Sequence, residues 1–111
     1  MPFFQKISTR TEKVGSVIRR ALAPHLIKFE PEHGIIAITA VEVFPDLSAA
    51  KVFFDAPRRA AKLEKKLNKM AGLLKKEISQ NLTQKRTPNL LFVIDAGILA
   101  ANKIDELLRE K

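Results

Sequence analysis

Residues 57–82 read PRRAAKLEKKLNKMAGLLKKEISQNL, and at 100° of helical rotation per residue the stretch sorts into two opposed stripes. Arg58, Lys62, Lys65, Lys69 and Lys76 share one narrow arc; Ala60, Leu63, Leu67, Met70, Ala71, Leu74 and Ile78 lie on the other side. One face is suited to a core. The other offers a row of cations about 16 Å long from Arg58 to Lys69, at a rise of 1.5 Å per residue. Leu73 breaks the pattern, since a straight helix would set it among the lysines. Its neighbour Gly72 costs about 1 kcal/mol relative to alanine in a helix interior. A bend at Met70-Ala71-Gly72 that re-phases the second half resolves both anomalies. The stretch therefore predicts helix, kink, helix.

Just upstream, Ala49 to Asp55 alternates as a strand, with Ala50, Val52 and Phe54 on one face and Lys51, Phe53 and Asp55 on the other. Ile35 to Phe44 is a second strand, rich in Ile and Val. Its inward parity changes from Ile36 and Ile38 to Val41 and Val43, which predicts a bulge near Ala40. The connection through Pro45, Asp46 and Ser48 is short enough to make the pair antiparallel. Asp and Ser there can fix the turn by bonding nearby backbone, with Leu47 as a plug. Phe53 shares the outward face with Lys51 and Asp55, so it either lies beneath an edge or terminal segment or stacks on a base.

Further upstream, Thr9 and Glu12 have capping-box spacing. They open an amphipathic helix carried by Val14, Val17, Ile18, Ala21 and Leu22, after a loose lead-in over residues 1–8. Pro24 should kink or end that helix around Ala23. Leu26, Ile27 and Phe29 can pack back on the core, and Pro31 to Gly34 reads as a turn. Downstream, Leu90 to Ile94 is a wholly apolar run whose length favours a strand buried on both faces. Ile98, Ala101, Ile104, Leu107 and Leu108 outline a short C-terminal helix over 97–110.

The order is α-β-β-α-kink-α-β with a helix appended. It predicts one domain over residues 1–111, with its core in about 9–95 and two-thirds of its extended-chain surface buried. Three strands and these helices pack most economically as a two-layer α+β sandwich. This is the plan of a type II KH domain, a class that clamps nucleic-acid backbone with a GxxG loop between two helices. The four glycines stand at 15, 34, 72 and 97, and no GxxG occurs.

Charge narrows the partners. Residues 58–86 hold ten Lys or Arg against Glu64 and Glu77, so this segment alone carries the net charge of +8. Such a confined basic patch points to phosphate backbones or an anionic membrane surface, with a solvated lysine face as the bland alternative. No run approaches the roughly 20 apolar residues of a membrane span, and the start is too short in apolar residues for a secretory signal. Cysteine is absent, which excludes disulfides and thiolate zinc sites and is compatible with a reducing cytosol.

Catalysis has little to stand on. The only histidines are His25 and His33. With Glu30 and Glu32 they match no standard metal spacing and read as solvated loop residues. Nucleophile elbows and Gly-rich phosphate loops are missing. No enzyme, cofactor, metal or small-molecule ligand is expected.

The segment Val41-Glu42-Val43-Phe44-Pro45-Asp46-Leu47-Ser48-Ala49-Ala50-Lys51-Val52 resembles the V-x-V-x-x-D-L-S-x-A-K-V signature of the bacterial ribosome-binding factor A family. Thr39, Pro88 with Leu90 and Phe92, and Asn102-Lys103-Ile104-Asp105-Glu106-Leu107-Leu108 are also similar. The resemblance covers roughly residues 10–108. In that family a kink of the form Ala-x-Gly replaces the GxxG loop; here Met70-Ala71-Gly72 keeps the glycine and not the first alanine. The resemblance implies a monomeric, cytoplasmic, non-enzymatic factor that binds small-subunit rRNA and free small ribosomal subunits. It also implies support for late maturation of the rRNA 5′ end, mattering most in the cold. Arg58, Arg59, Lys62, Lys65, Lys66 and Lys69 are the expected phosphate contacts, extended by Lys75, Lys76, Lys85 and Arg86. Neutralising about six phosphates gives a salt slope of roughly −4 to −5. Arg19 and Arg20 read as surface residues first and contacts second. A protein-interaction module docking the lysine face on an acidic partner and a nonspecific nucleic-acid binder are the competing readings.

Overall fold

The computed structural model describes residues 2–82 and 86–95, with side chains from Thr11 onward. Helix α1 spans Pro2–Leu26, so the expected lead-in and the capping box at Thr9 and Glu12 give way to one continuous helix. Proline is well suited to the first helical turn, where a missing N–H costs nothing. The spacing of Phe3, Phe4 and Ile7 also continues the period of Val14, Ile18 and Leu22. Pro24 lies in the last turn, and the helix runs two residues past it before tightening into a 3-10 turn over Ile27–Phe29. Leu26 is buried there, but Ile27 is 60% exposed and does not pack back.

The turn expected at Pro31 to Gly34 is a single helical turn, α2, over Glu30–His33. It closes through the Gly34 N–H on the Glu30 carbonyl at 2.7 Å. Gly34 has φ +81°, and a Cβ there would come within 2.9 Å of the Pro57 ring. Only glycine fits.

Strands β1 (Ala37–Val43), β2 (Ala49–Asp55) and β3 (Asn89–Ile94) form a sheet in that order. β1 and β2 are antiparallel. Ile38 pairs with Phe54 and Ala40 with Phe53, leaving Thr39 as the extra residue of the predicted bulge. Two residues opposing one flips the alternation, so Val43 reaches the core although it is an odd number of residues from Ile38. β2 and β3 are parallel, with Ala50 opposite Leu90 and Val52 opposite Phe92. A parallel neighbour requires a crossover, and helices α3 (Ala60–Lys69) and α4 (Ala71–Ile78) supply it.

The helices lie on one face of the sheet. Ile18 and Leu22 from α1, Leu63 and Leu67 from α3, and Leu74 and Ile78 from α4 meet Val52, Phe54 and Phe92 in one buried cluster. β3 is not buried on both faces as its composition suggests, for Leu91 is 47% exposed. With the described helices on one side, alternate residues of an apolar strand must point away from them.

The α3–α4 break falls at Met70, with φ −92° and ψ 1°. Its N–H is shared between the carbonyls of Lys66 and Leu67, both at 3.1 Å, and the Leu74 N–H restarts the ladder on the Met70 carbonyl. The bend brings Leu74 and Ile78 inward but not Leu73, which remains 55% exposed. Re-phasing by one break cannot bury two adjacent residues of a helix that has one apolar face.

Candidate nucleic-acid interface

The two basic helices share one sign of charge but differ in how that charge is satisfied. α3 opens at Arg59, which adopts left-handed backbone with φ 52°. This sharp entry turns Arg58 back toward α2, where its N–H donates to the His33 carbonyl at 3.0 Å and its guanidinium Nε reaches the Glu32 carbonyl at 3.3 Å. His33 is fully buried rather than solvated. Its Nδ1 lies 2.9 Å from the Arg58 carbonyl. A carbonyl can only accept, so Nδ1 carries the hydrogen. Nε2 then presents its lone pair to the Lys66 ammonium at 3.5 Å.

Glu32 completes this cluster. Its Oε2 lies 2.8 Å from Lys62 Nζ and its Oε1 2.8 Å from Lys66 Nζ, with Arg59 Nη1 at 3.5 Å. The hydrogen bonds from Lys62 and then Lys66 hold the Glu32 carboxyl down from 4.5 to about 2. Four of the predicted phosphate contacts (Arg58, Arg59, Lys62 and Lys66) therefore already serve α2. Because the folded carboxyl titrates below its unfolded value, the cluster contributes fully above about pH 4.5 and is lost as pH falls toward 2. Glu32→Gln should flatten that part of the acid-unfolding profile. If Lys62 and Lys66 also meet a polyanion, it should raise polyanion affinity several-fold at low salt. An unchanged acid limb would show that the cluster does not bear on stability. Among the described residues no group of three His, Asp or Glu could hold a metal ion.

The remaining predicted contacts among the described residues stand apart from Glu32. Lys65, Lys69, Lys75, Lys76 and Arg86 have no acidic group in ion-pair reach among the described residues. Lys75 donates instead to the Asn89 Oδ1 at 2.9 Å. Lys65, Lys69, Lys76 and Arg86 are exposed; Lys65 and Lys69 precede the break on α3, Lys76 follows it on α4, and Arg86 shares a cleft with Lys76. Lys85 lies outside the described residues. Arg19 and Arg20 are exposed on α1, and Phe53 is half-buried. The C-terminal helix expected near Phe53 falls outside the described residues.

Two α3 residues that the sequence reading passed over close the sheet edge. Asn68 Oδ1 accepts from the Phe92 N–H at 2.8 Å, and its Nδ2 donates to the Phe92 carbonyl at 2.9 Å. Glu64 Oε2 accepts from the Ile94 N–H at 2.9 Å. Side chains thus occupy the backbone groups that an edge strand would otherwise offer to another chain or a base. The signal was in the spacing: Glu64 and Asn68 are four apart and flank the Leu63–Leu67 stripe. Asn68→Ala leaves both Phe92 groups without their partner and should cost about 2 kcal/mol in urea unfolding. A loss under about 0.5 kcal/mol would mean that water replaces the amide without penalty.

The β1–β2 turn behaves as turn chemistry requires. Asp46 Oδ1 accepts from the Ser48 N–H at 3.0 Å and from its hydroxyl at 2.7 Å. The hydroxyl and then the amide of Ser48 lower the Asp46 pKa. Leu47 adopts φ 62° and is buried, as a plug should be.

Helix, break and helix packed on a three-stranded sheet whose last two strands are parallel is the type II KH arrangement, and the class it defines is that of KH-like folds without a GxxG loop. Within that class the chain belongs to the Ribosome-binding factor A family, whose family model matches residues 10–108. Ribosome-binding factor A of Streptococcus thermophilus is 39% identical over 108 residues, covering 92% of each chain. That of Methylobacillus flagellatus is 36% identical over 106 residues, covering 92% of this chain and 84% of the relative. The fold is shared with the crystal structure of ribosome-binding factor A from Thermus thermophilus, with TM-score 0.67, 21% identity, and 75% and 92% of the two chains covered. A homology model of the Thermus thermophilus factor, fitted into a cryo-EM map of a 30S–RbfA complex, matches with TM-score 0.63 and 24% identity over 71% and 88% of the chains.

Proposed function

We propose that this chain is a non-enzymatic assembly factor of the small ribosomal subunit. It binds free small subunits through rRNA phosphates and supports late maturation of the rRNA 5′ end, with the greatest demand for it in the cold. It acts in the cytoplasm as a monomer, as a single KH-like RNA-binding domain, without cofactor or small-molecule ligand. The relatives' name and the fitted 30S complex of a protein of the same fold support the choice of partner. No helix among the described residues is long and apolar enough to cross a membrane.

The observation that carries this reading is a set of cations on α3, on α4 and before β3 that have no carboxylate in reach among the described residues: Lys65, Lys69, Lys75, Lys76 and Arg86. It moves the expected contact from the start of α3, where Glu32 occupies the cations, toward the α3–α4 junction. The sealed β3 edge fits a factor that grips a folded polyanion by its backbone rather than by reading splayed bases. Sedimentation with small subunits, large subunits and whole ribosomes across a salt series tests it. Salt-sensitive binding to small subunits that is lost on nuclease treatment is expected. Binding that survives the nuclease would favour an acidic protein partner. Equal affinity for duplex DNA would favour a nonspecific binder.

A further inference from the structure

A cleft of about 490 Å³ opens between α4, the β1–β2 turn and the approach to β3, within the range of about 300–1,000 Å³ typical of small-ligand sites. Resting on the RNA-binding reading, we propose that this cleft seats one ribonucleotide unit of the bound RNA, with its phosphate on Lys75, Lys76 and Arg86. Among the described residues no Asp or Glu lines it, in contrast to the Glu32-bound cluster of α3. Two ammonium groups and a guanidinium fork around one cavity are the donor set that a phosphodiester requires.

Gly72 forms part of the same wall. It lies inside α4, without the positive φ that would require glycine, and a Cβ there would meet nothing within 4 Å. The backbone break is two residues earlier, at Met70. Alanine would favour the helix at this position, so neither the bend nor the packing calls for the missing side chain. What the absence of a side chain provides is room in the cleft and close approach to the α4 backbone.

The hydroxyls point to ribose. The Ser48 hydroxyl donates to Asp46 at 2.7 Å and the Ser79 hydroxyl to the Lys76 carbonyl at 2.7 Å. With their hydrogens engaged, the two oxygens that line the cleft remain as acceptors. A 2′-hydroxyl can donate to them and a deoxyribose cannot.

The test is titration of the full-length protein with hexauridylate, its deoxy counterpart and inorganic phosphate, read by amide NMR. Saturable shifts at Ser48, Gly72 and Ser79, several-fold tighter for the ribo-oligomer and abolished by Gly72→Leu with Lys65 and Lys69 still responding, are expected. Lys76→Glu with Arg86→Glu, both at exposed positions, should abolish the same shifts if Gly72→Leu does not fold. Shifts confined to α3 would overturn the cleft and leave the RNA-binding reading standing. Equal shifts from phosphate alone would overturn the nucleotide in favour of a bare anion. No shifts together with no subunit binding would overturn both readings.

Discussion

Lys65→Glu, Lys69→Glu and Lys76→Glu combined will lower the affinity for free small subunits by on the order of 10²-fold at about 0.1 M salt. Each phosphate contact contributes about 0.7–0.9 to the slope of log affinity against log salt, so five contacts give about −4 and removal of three leaves about −2. The fold should survive, because all three side chains are exposed and none is held by a carboxylate among the described residues. Exposed substitutions of that kind shift stability by no more than about 0.5 kcal/mol each. Arg19→Glu with Arg20→Glu on α1 serves as the comparison, with only a few-fold loss expected from the general field. Sedimentation of the variants beside wild type across the salt series decides between the two surfaces. Loss of affinity in the α1 pair and none in the α3–α4 triple would place the contact on the wrong helix.

The choice of Lys65, Lys69 and Lys76 over Lys62 and Lys66 could not have come from the helical wheel. All five stand in one basic run, and periodicity reports only which residues share a face. What separates them is Glu32, 30 residues before Lys62 in the chain and brought to it by the fold. The same limit hid His33. A histidine beside a glycine and two glutamates reads as a loop residue until the Arg58 carbonyl is found 2.9 Å from its ring. Period-2 signals fared better. The β2 boundaries and the β1 bulge followed from alternation, because a strand packed on one face must repeat every second residue. The start of α1 is hard to read because Thr9 and Glu12 offer capping-box spacing inside an apolar period that begins at Phe3. Glycine content and the stray Leu73 narrow the break to Met70-Ala71-Gly72, and the chain turns at the first of the three, Met70, where one N–H serves two carbonyls. Composition marks where a helix can bend, and hydrogen-bond geometry decides where it does.

The second large effect concerns β3, the strand on which α3 and α4 rest. Phe92 is 1% exposed and packs beneath α3 and α4, while Asn68 of α3 holds its backbone at the sheet edge. Phe92→Ala removes a ring from a close-packed layer and leaves a cavity that two helices cannot collapse into without losing Leu63 or Leu74 contacts. The expected cost is about 3–5 kcal/mol, a large fraction of the roughly 5–15 kcal/mol that holds a domain together. Leu91→Ala, one residue away on the open face, should cost under about 1 kcal/mol, because its side chain is already half in water. Urea unfolding followed by circular dichroism measures both, and the midpoint for Phe92→Ala should fall sharply with the slope unchanged. Equal losses at 91 and 92 would mean that the sheet is covered on both faces. A reversed order would mean that β3 is slipped by one residue, since a single step of register exchanges every inward side chain for an outward one.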